Sequence, residues 1–126
     1  MVRILPLLLL ASLTLAASKP PAIELVLNPR VGFRPLTVEA RLYIEPNYQN
    51  VAWCLQWYQR GAEFPDGRHC EEINGQYAPR LHFLTIKSLD AYTEEGTYYE
   101  VSATVLRTRD TESTPLQTIQ VLHRLY

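Results

Sequence analysis

The sequence has no excess of charge of either sign, which excludes partners that are recognised mainly through electrostatic attraction. Its 126 residues include 12 basic and 13 acidic side chains, for a formal net charge of −1. The basic residues are scattered and form no stripe along any segment. We therefore expect neither nucleic acid nor an anionic membrane surface as a partner.

Long apolar runs are scarce, since the only one lies at the N-terminus. Arg3 gives it a positive start, residues 4–15 are mostly apolar, and residues 16–18 are small, as a cleavage site requires. This pattern is typical of a secretory signal peptide and is too short for a mature membrane span, although an uncleaved anchor remains the alternative. We predict that residues 1–17 are the signal. Residues 18–126 then form one domain that is secreted or periplasmic and has no membrane span.

Cysteine is rare as well, with only Cys54 and Cys70 in the chain. In an exported protein an even pair predicts a disulfide. A metal site with two cysteines needs further ligands, and His69, His82 and His123 show no recognised metal-ligand spacing. The sequence therefore predicts a Cys54–Cys70 disulfide, with no metal and no cofactor.

Motifs of catalysis are also missing. Ser88, Ser102 and Ser113 lack the context of a nucleophile elbow, and no histidine has an evident acidic partner. The paired acids at 71–72 and 94–95 have no calcium-loop spacing and are expected to be solvated. We predict that the protein is not an enzyme.

What the chain does contain is a series of short segments with an apolar residue at every second position, a period typical of half-buried strands. The clearest examples are Leu36, Val38, Ala40, Leu42 and Ile44, and then Tyr99, Val101, Ala103 and Val105. Strands are predicted near 22–28, 36–45, 51–58, 68–73, 80–88, 98–107 and 116–123. Turn residues separate them, and residues 90–95 are expected to form one helical turn. About seven short strands at this spacing predict a single antiparallel, immunoglobulin-like β-sandwich.

The third predicted strand carries both tryptophans and one cysteine. Its inner face is expected to hold Val51, Trp53, Leu55 and Trp57. Cys54 then points outward, so that the disulfide closes one hairpin on its outer face and does not join the two sheets.

Two motifs and a tryptophan between them resemble the polycystic-kidney-disease (PKD) repeat domain over nearly the whole mature chain. They comprise Gly32, Pro35, Leu36, Thr37 and Val38, then Trp53 or Trp57, and finally Gly96, Tyr98 and Val101. The chain departs from that family after Trp57, where a cysteine-bearing loop replaces a short turn rich in Asp and Gly. In that family the valine stands two positions after the tyrosine, whereas here Val101 stands three positions after Tyr98. Either Tyr99 is therefore the buried tyrosine, or a bulge lies between Tyr98 and Val101.

The chain also resembles an immunoglobulin domain at residues 55–58, and residues 84–86 with Leu89, followed by 94–98, are similar to the approach to that family's tyrosine corner. Glu100 stands where the second sheet-bridging cysteine of that family would be. Both resemblances imply an immunoglobulin-like sandwich, and neither identifies a ligand.

Exposed aromatic residues are the remaining candidates for recognition, because they can stack on sugars or anchor a protein interface. The predicted binding surface is the edge of the disulfide hairpin, with Tyr58, Phe64, His69 and Tyr77. The expected function is that of a PKD-like binding or assembly module, as in an accessory or adhesion protein, with a protein or carbohydrate partner at the cell surface. The alternative is a small secreted inhibitor or a carbohydrate-binding protein that uses the same hairpin edge.

Overall fold

The computed structural model describes residues 22–74 and 77–123, which form nine β-strands. The strands are β1 (Ile23–Asn28), β2 (Val31–Phe33), β3 (Leu36–Ile44), β4 (Asn50–Gln59), β5 (Gly67–Glu72), β6 (Leu81–Leu89), β7 (Thr97–Arg107), β8 (Thr111–Ser113) and β9 (Gln117–Leu122). The predicted signal peptide lies outside the described residues.

The strands form two sheets that pack face to face. The three-stranded sheet has the order β1-β3-β6, and the larger sheet has the order β2-β9-β7-β4-β5, with β8 pairing with β7. All pairs are antiparallel except β2 with β9. Two such sheets, with neighbouring strands that are distant in sequence, form an immunoglobulin-like β-sandwich, which confirms the predicted fold class.

Seven of the nine strands coincide with the predicted ones, and the two extra strands each have three residues. Strand β2 follows Pro29, where the chain leaves the three-stranded sheet and joins the larger one in parallel with β9. Strand β8 lies in a segment predicted as a polar turn and pairs back onto β7. Three residues are too few to show a period of two, and the pairing is set by distant partners. The prediction of seven strands therefore missed both.

Residues 90–95 contain no helical turn, contrary to the prediction. The chain instead makes a turn in which Gly96 N donates to Thr93 O at 3.0 Å. Gly96 has a φ of +101°, a conformation that glycine adopts without steric cost. Strand β7 begins directly after this turn, at Thr97.

The core lies between the two inner faces. The predicted alternation is confirmed, since its buried members are Leu36, Val38, Ala40, Leu42 and Ile44 on β3 and Tyr99, Val101, Ala103 and Val105 on β7. Tyr99 takes the core role, and its hydroxyl donates to Asp90 O at 2.8 Å. Burial raises the pKa of Tyr99 to about 12. Tyr98 lies on the opposite face and is exposed.

The prediction for the inner face of β4 is partly wrong. Trp53 and Leu55 are fully buried, but Trp57 is only half-buried at the margin of the core. Val51 is exposed, because the pairing with β7 shifts register between Asn50 and Ala52. Such a bulge places two residues opposite one and turns a side chain out of the alternation.

Candidate functional site

The disulfide hairpin is formed by β4 and β5. Cys54 lies directly opposite Cys70, with their Cα atoms 4.1 Å apart, and the two are bonded, which confirms the predicted pairing. Both strands belong to the larger sheet, and the bond lies on its outer face, opposite to buried Trp53 and Leu55. The disulfide therefore closes one hairpin and does not connect the sheets, as predicted.

The four residues of the predicted binding surface do not form one cluster. Phe64 and Tyr77 are 76% and 78% exposed, but they lie in the loops before and after β5. Six strand residues separate those loops by about 20 Å. Tyr58 is on the outer face of the sheet with Cys54, whereas His69 is opposite Leu55 on the inner face. The structure thus distributes these residues around the hairpin.

His69 belongs to a small group of rings around Trp53. The ring centroids of Trp53 and His69 are 5.7 Å apart, and those of Trp53 and His82, from β6 of the other sheet, are 5.6 Å apart. His69 Nε2 lies 3.2 Å from Glu71 Oε1. Burial lowers the pKa of His82, and the nearby Glu71 carboxylate opposes that shift only partly. The contact between Trp53 and His82 shows that β6 lies over β4.

The larger sheet extends one strand beyond the end of the three-stranded sheet that packs on it. The larger sheet continues to β5, whereas the three-stranded sheet ends at β6. No described strand covers the inner face of β5, where the side chains of His69 and Glu71 are 40% and 53% exposed. We call this inner surface, made of Gly67, His69, Glu71 and the adjacent indole of Trp57, the β5 ledge.

Trp57 is held on this ledge by Gly67. The two residues lie directly opposite in the pairing of β4 with β5. A Cβ atom added to Gly67 would collide with the Trp57 ring, with its Nε1 atom at 2.8 Å. Glycine at this position therefore lets the indole pack directly against the β5 backbone, with part of the ring in solvent.

The edge of β6 above the ledge has unpaired backbone groups. Ile44 N donates to Arg80 O at 2.9 Å, and hydrogen-bonded residue pairs alternate along an antiparallel ladder. The backbone groups of Leu81, Phe83 and Thr85 consequently point away from β3. They meet no backbone partner in the part of the chain that the structure describes. We call this edge together with the β5 ledge the open flank.

The outer face of the three-stranded sheet continues from the open flank. Phe83 is 67% exposed, and Val26, Arg41 and Phe83 form one row across β1, β3 and β6. Shallow depressions of about 250 and 280 Å³ lie on either side of Arg41. The sequence did carry a signal for this surface, because Leu81 and Phe83 alternate with the apolar residues of the inner face and make β6 apolar on both faces.

A further depression, of about 320 Å³, lies at the start of β7 and includes Tyr92 and Tyr98. The Arg60 guanidinium covers the Tyr98 ring at 4.6 Å from its centroid and also approaches Glu100 at 3.5 Å. Thr97 Oγ1 accepts a hydrogen bond from Tyr92 N. Because these polar groups already have partners, the depression offers few of them to a ligand.

Two kinds of feature are absent from the described residues. Between residues 22 and 123, leaving out 75 and 76, no group of three or more His, Cys, Asp or Glu side chains is arranged to hold a metal ion. The same residues contain no helix that is long and apolar enough to cross a membrane.

Comparisons with known proteins give similar solved structures but no match in sequence. No family model matches the sequence, and no curated protein matches it. The chain is similar to the solution structure of the fibronectin type III domain of human collagen alpha-1(XX) chain, with a TM-score of 0.41 and 18% identity. The similarity covers 87% of this chain and 91% of that domain. The sandwich described above is defined by its own strand order.

Proposed function

We propose that this protein is an exported, non-catalytic binding or assembly module that recognises a protein partner by strand addition at the open flank. The observation that carries the proposal is the free edge of β6 above an uncovered β5. Strand addition extends an existing sheet, with main-chain hydrogen bonds giving affinity and alternate side chains giving specificity. The resemblance of the sequence to PKD domains supports an accessory or adhesion role at the cell surface.

Strand β6 is the sheet edge best suited to this role. It has nine residues, whereas the other strands with a free edge have six (β1 and β5) or three (β2 and β8). Lys87 is its one charged residue, while β5 has three, and charge protects an edge against pairing. The edge of β1 is partly covered, because Gln117 Nε2 donates to Leu25 O at 2.6 Å.

The expected occupant is one extended segment of another protein, and a second copy of this chain does not fit. In a pairing between two β6 strands, the second β6 would lie above the first β5. That second β6 is already backed by its own β4, as the Trp53–His82 contact requires. The second β4 and the first β5 would then occupy the same space. The β5 ledge therefore accepts only a strand that carries no second sheet on the side facing β5.

The compartment is proposed on two grounds. The disulfide between Cys54 and Cys70 is of the kind that persists in oxidising compartments outside the cytosol. The first 17 residues have the pattern of a secretory signal. Together they support a secreted or periplasmic module.

A proline in β6 tests the proposal. Thr85→Pro removes an amide that points to the free edge, at an edge position where proline is tolerated. Thr85→Val is the matched control, since both variants lose the hydroxyl that donates to Glu39 at 3.0 Å. We expect a partner purified with the mature domain to bind the valine variant and not the proline variant. Hydrogen exchange should also show the Phe83 and Thr85 amides protected in the complex. A partner that binds both variants equally, without that protection, would contradict strand addition.

A second candidate function is a small secreted inhibitor or carbohydrate-binding protein that uses the hairpin loop. The observation in its favour is Phe64, which is 76% exposed in the loop closed by the disulfide. In that case Phe64→Ser should abolish binding and Thr85→Pro should not. The two variants therefore separate the candidates in one binding assay.

A further inference from the structure

The β5 ledge presents different side chains along its length, and the pairing of β4 with β5 determines the order in which they follow one another. Trp53 is opposite Glu71, Leu55 is opposite His69, and Trp57 is opposite Gly67. An added strand would therefore lie above an acidic position, then a histidine, then an indole, at steps of two residues. The acid and the indole are four strand residues apart, or about 13 Å.

Contacts with the other sheet align β6 with the same positions. His82 is in ring contact with Trp53 and is therefore level with Glu71. Tyr99, which is opposite Gln59 at the end of β4, donates its hydroxyl to Asp90 O just after β6, so β4 and β6 run in the same direction. Ile86, four residues further along β6 than His82, is then level with Trp57. A segment hydrogen-bonded to the β6 edge consequently directs one inward side chain at Glu71 and another, four residues away, at Trp57.

Glu71 is the charged group that such a side chain meets. Its carboxylate is 53% exposed and contacts His69 Nε2 through Oε1 at 3.2 Å. Its other carboxylate oxygen accepts no hydrogen bond from the described residues. Arg68, the nearest arginine in sequence, is directed to the outer face, where it donates to Cys54 Sγ at 3.8 Å. A lysine or arginine brought by the partner would complete this site with a charge-assisted hydrogen bond.

At the other end of the β5 ledge, Trp57 determines which side chain of the partner fits. Its indole is half-buried against the core and lies across Gly67, so one part of the ring remains available. An apolar or aromatic side chain placed there removes apolar surface of both partners from water. Outward side chains of the segment would lie beside Leu81 and Phe83, which are also apolar.

We infer that the segment recognised at the open flank is an extended peptide with a basic residue and an apolar or aromatic residue four positions apart. The basic residue faces Glu71 and the apolar one faces Trp57. This inference rests on the proposed function and specifies the partner of that site. An acidic segment is disfavoured, because its carboxylate would be brought next to Glu71.

Three synthetic peptides test the inference with the disulfide-intact mature domain. Each is an end-blocked decapeptide of alternating Val and Thr, with Lys and Phe, Glu and Phe, or Lys and Thr at two positions four apart. Binding is followed by backbone amide shifts and by hydrogen exchange at Phe83 and Thr85. We expect the Lys–Phe peptide to bind about tenfold more tightly than either of the other two.

Exchanging the charge on the ledge gives the matched control. Glu71→Lys should reverse the order of the Lys–Phe and Glu–Phe peptides. Glu72→Lys changes the same charge on the opposite face of β5, because Glu72 alternates with Glu71, and it should leave the order unchanged.

The outcomes separate the inference from the proposed function. If all three peptides protect the Phe83 and Thr85 amides with equal affinity, strand addition stands and the inferred sequence preference is wrong. If no peptide protects these amides, the proposed function is wrong and the inference falls with it. A dimer of the domain held together through β6, detected by sedimentation and by protection of the same amides, would also overturn both.

Discussion

Trp53 and Trp57 share one face of β4, yet they have different surroundings. Trp53 is 1% exposed and has His69 and His82 as ring neighbours. Trp57 lies four residues further along, where its half-buried indole lies against Gly67 of β5, a strand that no described strand of the three-stranded sheet covers. The same side chain is therefore a core residue at one position and a surface contact at the other.

Alanine substitution should distinguish the two tryptophans. Trp53→Ala should lower the free energy of unfolding by about 3–5 kcal/mol, as is typical for a fully buried tryptophan. Trp57→Ala should cost about 1–2 kcal/mol, because less apolar surface is removed from the core. Urea unfolding of both variants measures the difference. Equal losses would show that Trp57 is also a core residue.

His82 is expected to make the folding stability depend on pH. It is nearly buried beside Trp53, and burial lowers its pKa below the ordinary value of 6.5. The unfolded chain therefore takes up a proton at a higher pH than the folded protein does. By linkage, the stability that neutral His82 contributes is present above about pH 6.5. It declines as the pH falls, until His82 in the folded protein is itself protonated.

The pH dependence should follow this residue. In His82→Leu, the loss of unfolding free energy between pH 7.5 and 5.5 should be smaller than in the unmodified protein. His69→Gln removes the other ring next to Trp53 and should retain most of the loss. Urea unfolding at a series of pH values provides the measurement. An unchanged slope in His82→Leu would assign the pH dependence to other groups.

At the scale of elements, the β4–β5 hairpin is the structure that supports the site. Strand β5 is an edge strand whose inner face is uncovered, so it gains less from burial than the strands inside the sheet. The disulfide ties it to β4 at the middle of their pairing. We therefore regard the disulfide as the element that keeps the ledge in place.

Removing the disulfide should destabilise the domain. The bonded cysteines are 16 residues apart, and closing a loop of this size is worth about 3 kcal/mol in the chain-entropy model. We expect Cys54→Ala combined with Cys70→Ala to lower the free energy of unfolding by about that amount. Denaturant unfolding measures the change, and reduction of the unmodified protein provides the control. A loss below about 1 kcal/mol would mean that β5 is held mainly by its backbone hydrogen bonds.

At the scale of the whole molecule, the two sheets differ in their number of strands. Three strands face a larger sheet, and the difference leaves one flank with a free edge above an inner face. The proposed function depends on this difference in width between the two sheets. It also requires that the protein reaches a compartment where the disulfide forms.

Export should be visible in the mass of the mature protein. We expect cleavage near Ala17 or Ser18, because an apolar segment is followed there by small residues. Intact-mass spectrometry of the exported protein would detect the shortened chain. Retention of Met1 would instead support an uncleaved anchor.

Much of the fold could be predicted from the sequence because it depends on local periodicity. Alternation of apolar residues placed β3 and β7 and assigned their buried faces correctly. The same alternation placed Cys54 on the outer face of β4, and the disulfide is found there. It was wrong at Val51, where a bulge that depends on the distant strand β7 interrupts the period.

The candidate site could not be predicted in the same way, because it is defined by strands that are distant in sequence. Alternation separates Tyr58 from His69 only when the register of β4 with β5 is known. Phe83 is apolar on an exposed face, and its significance depends on β6 being an edge. Local sequence determined the strands, their faces and the disulfide. The tertiary structure alone decided which flank is open, since this depends on how many strands each sheet recruits and which strands lie over one another.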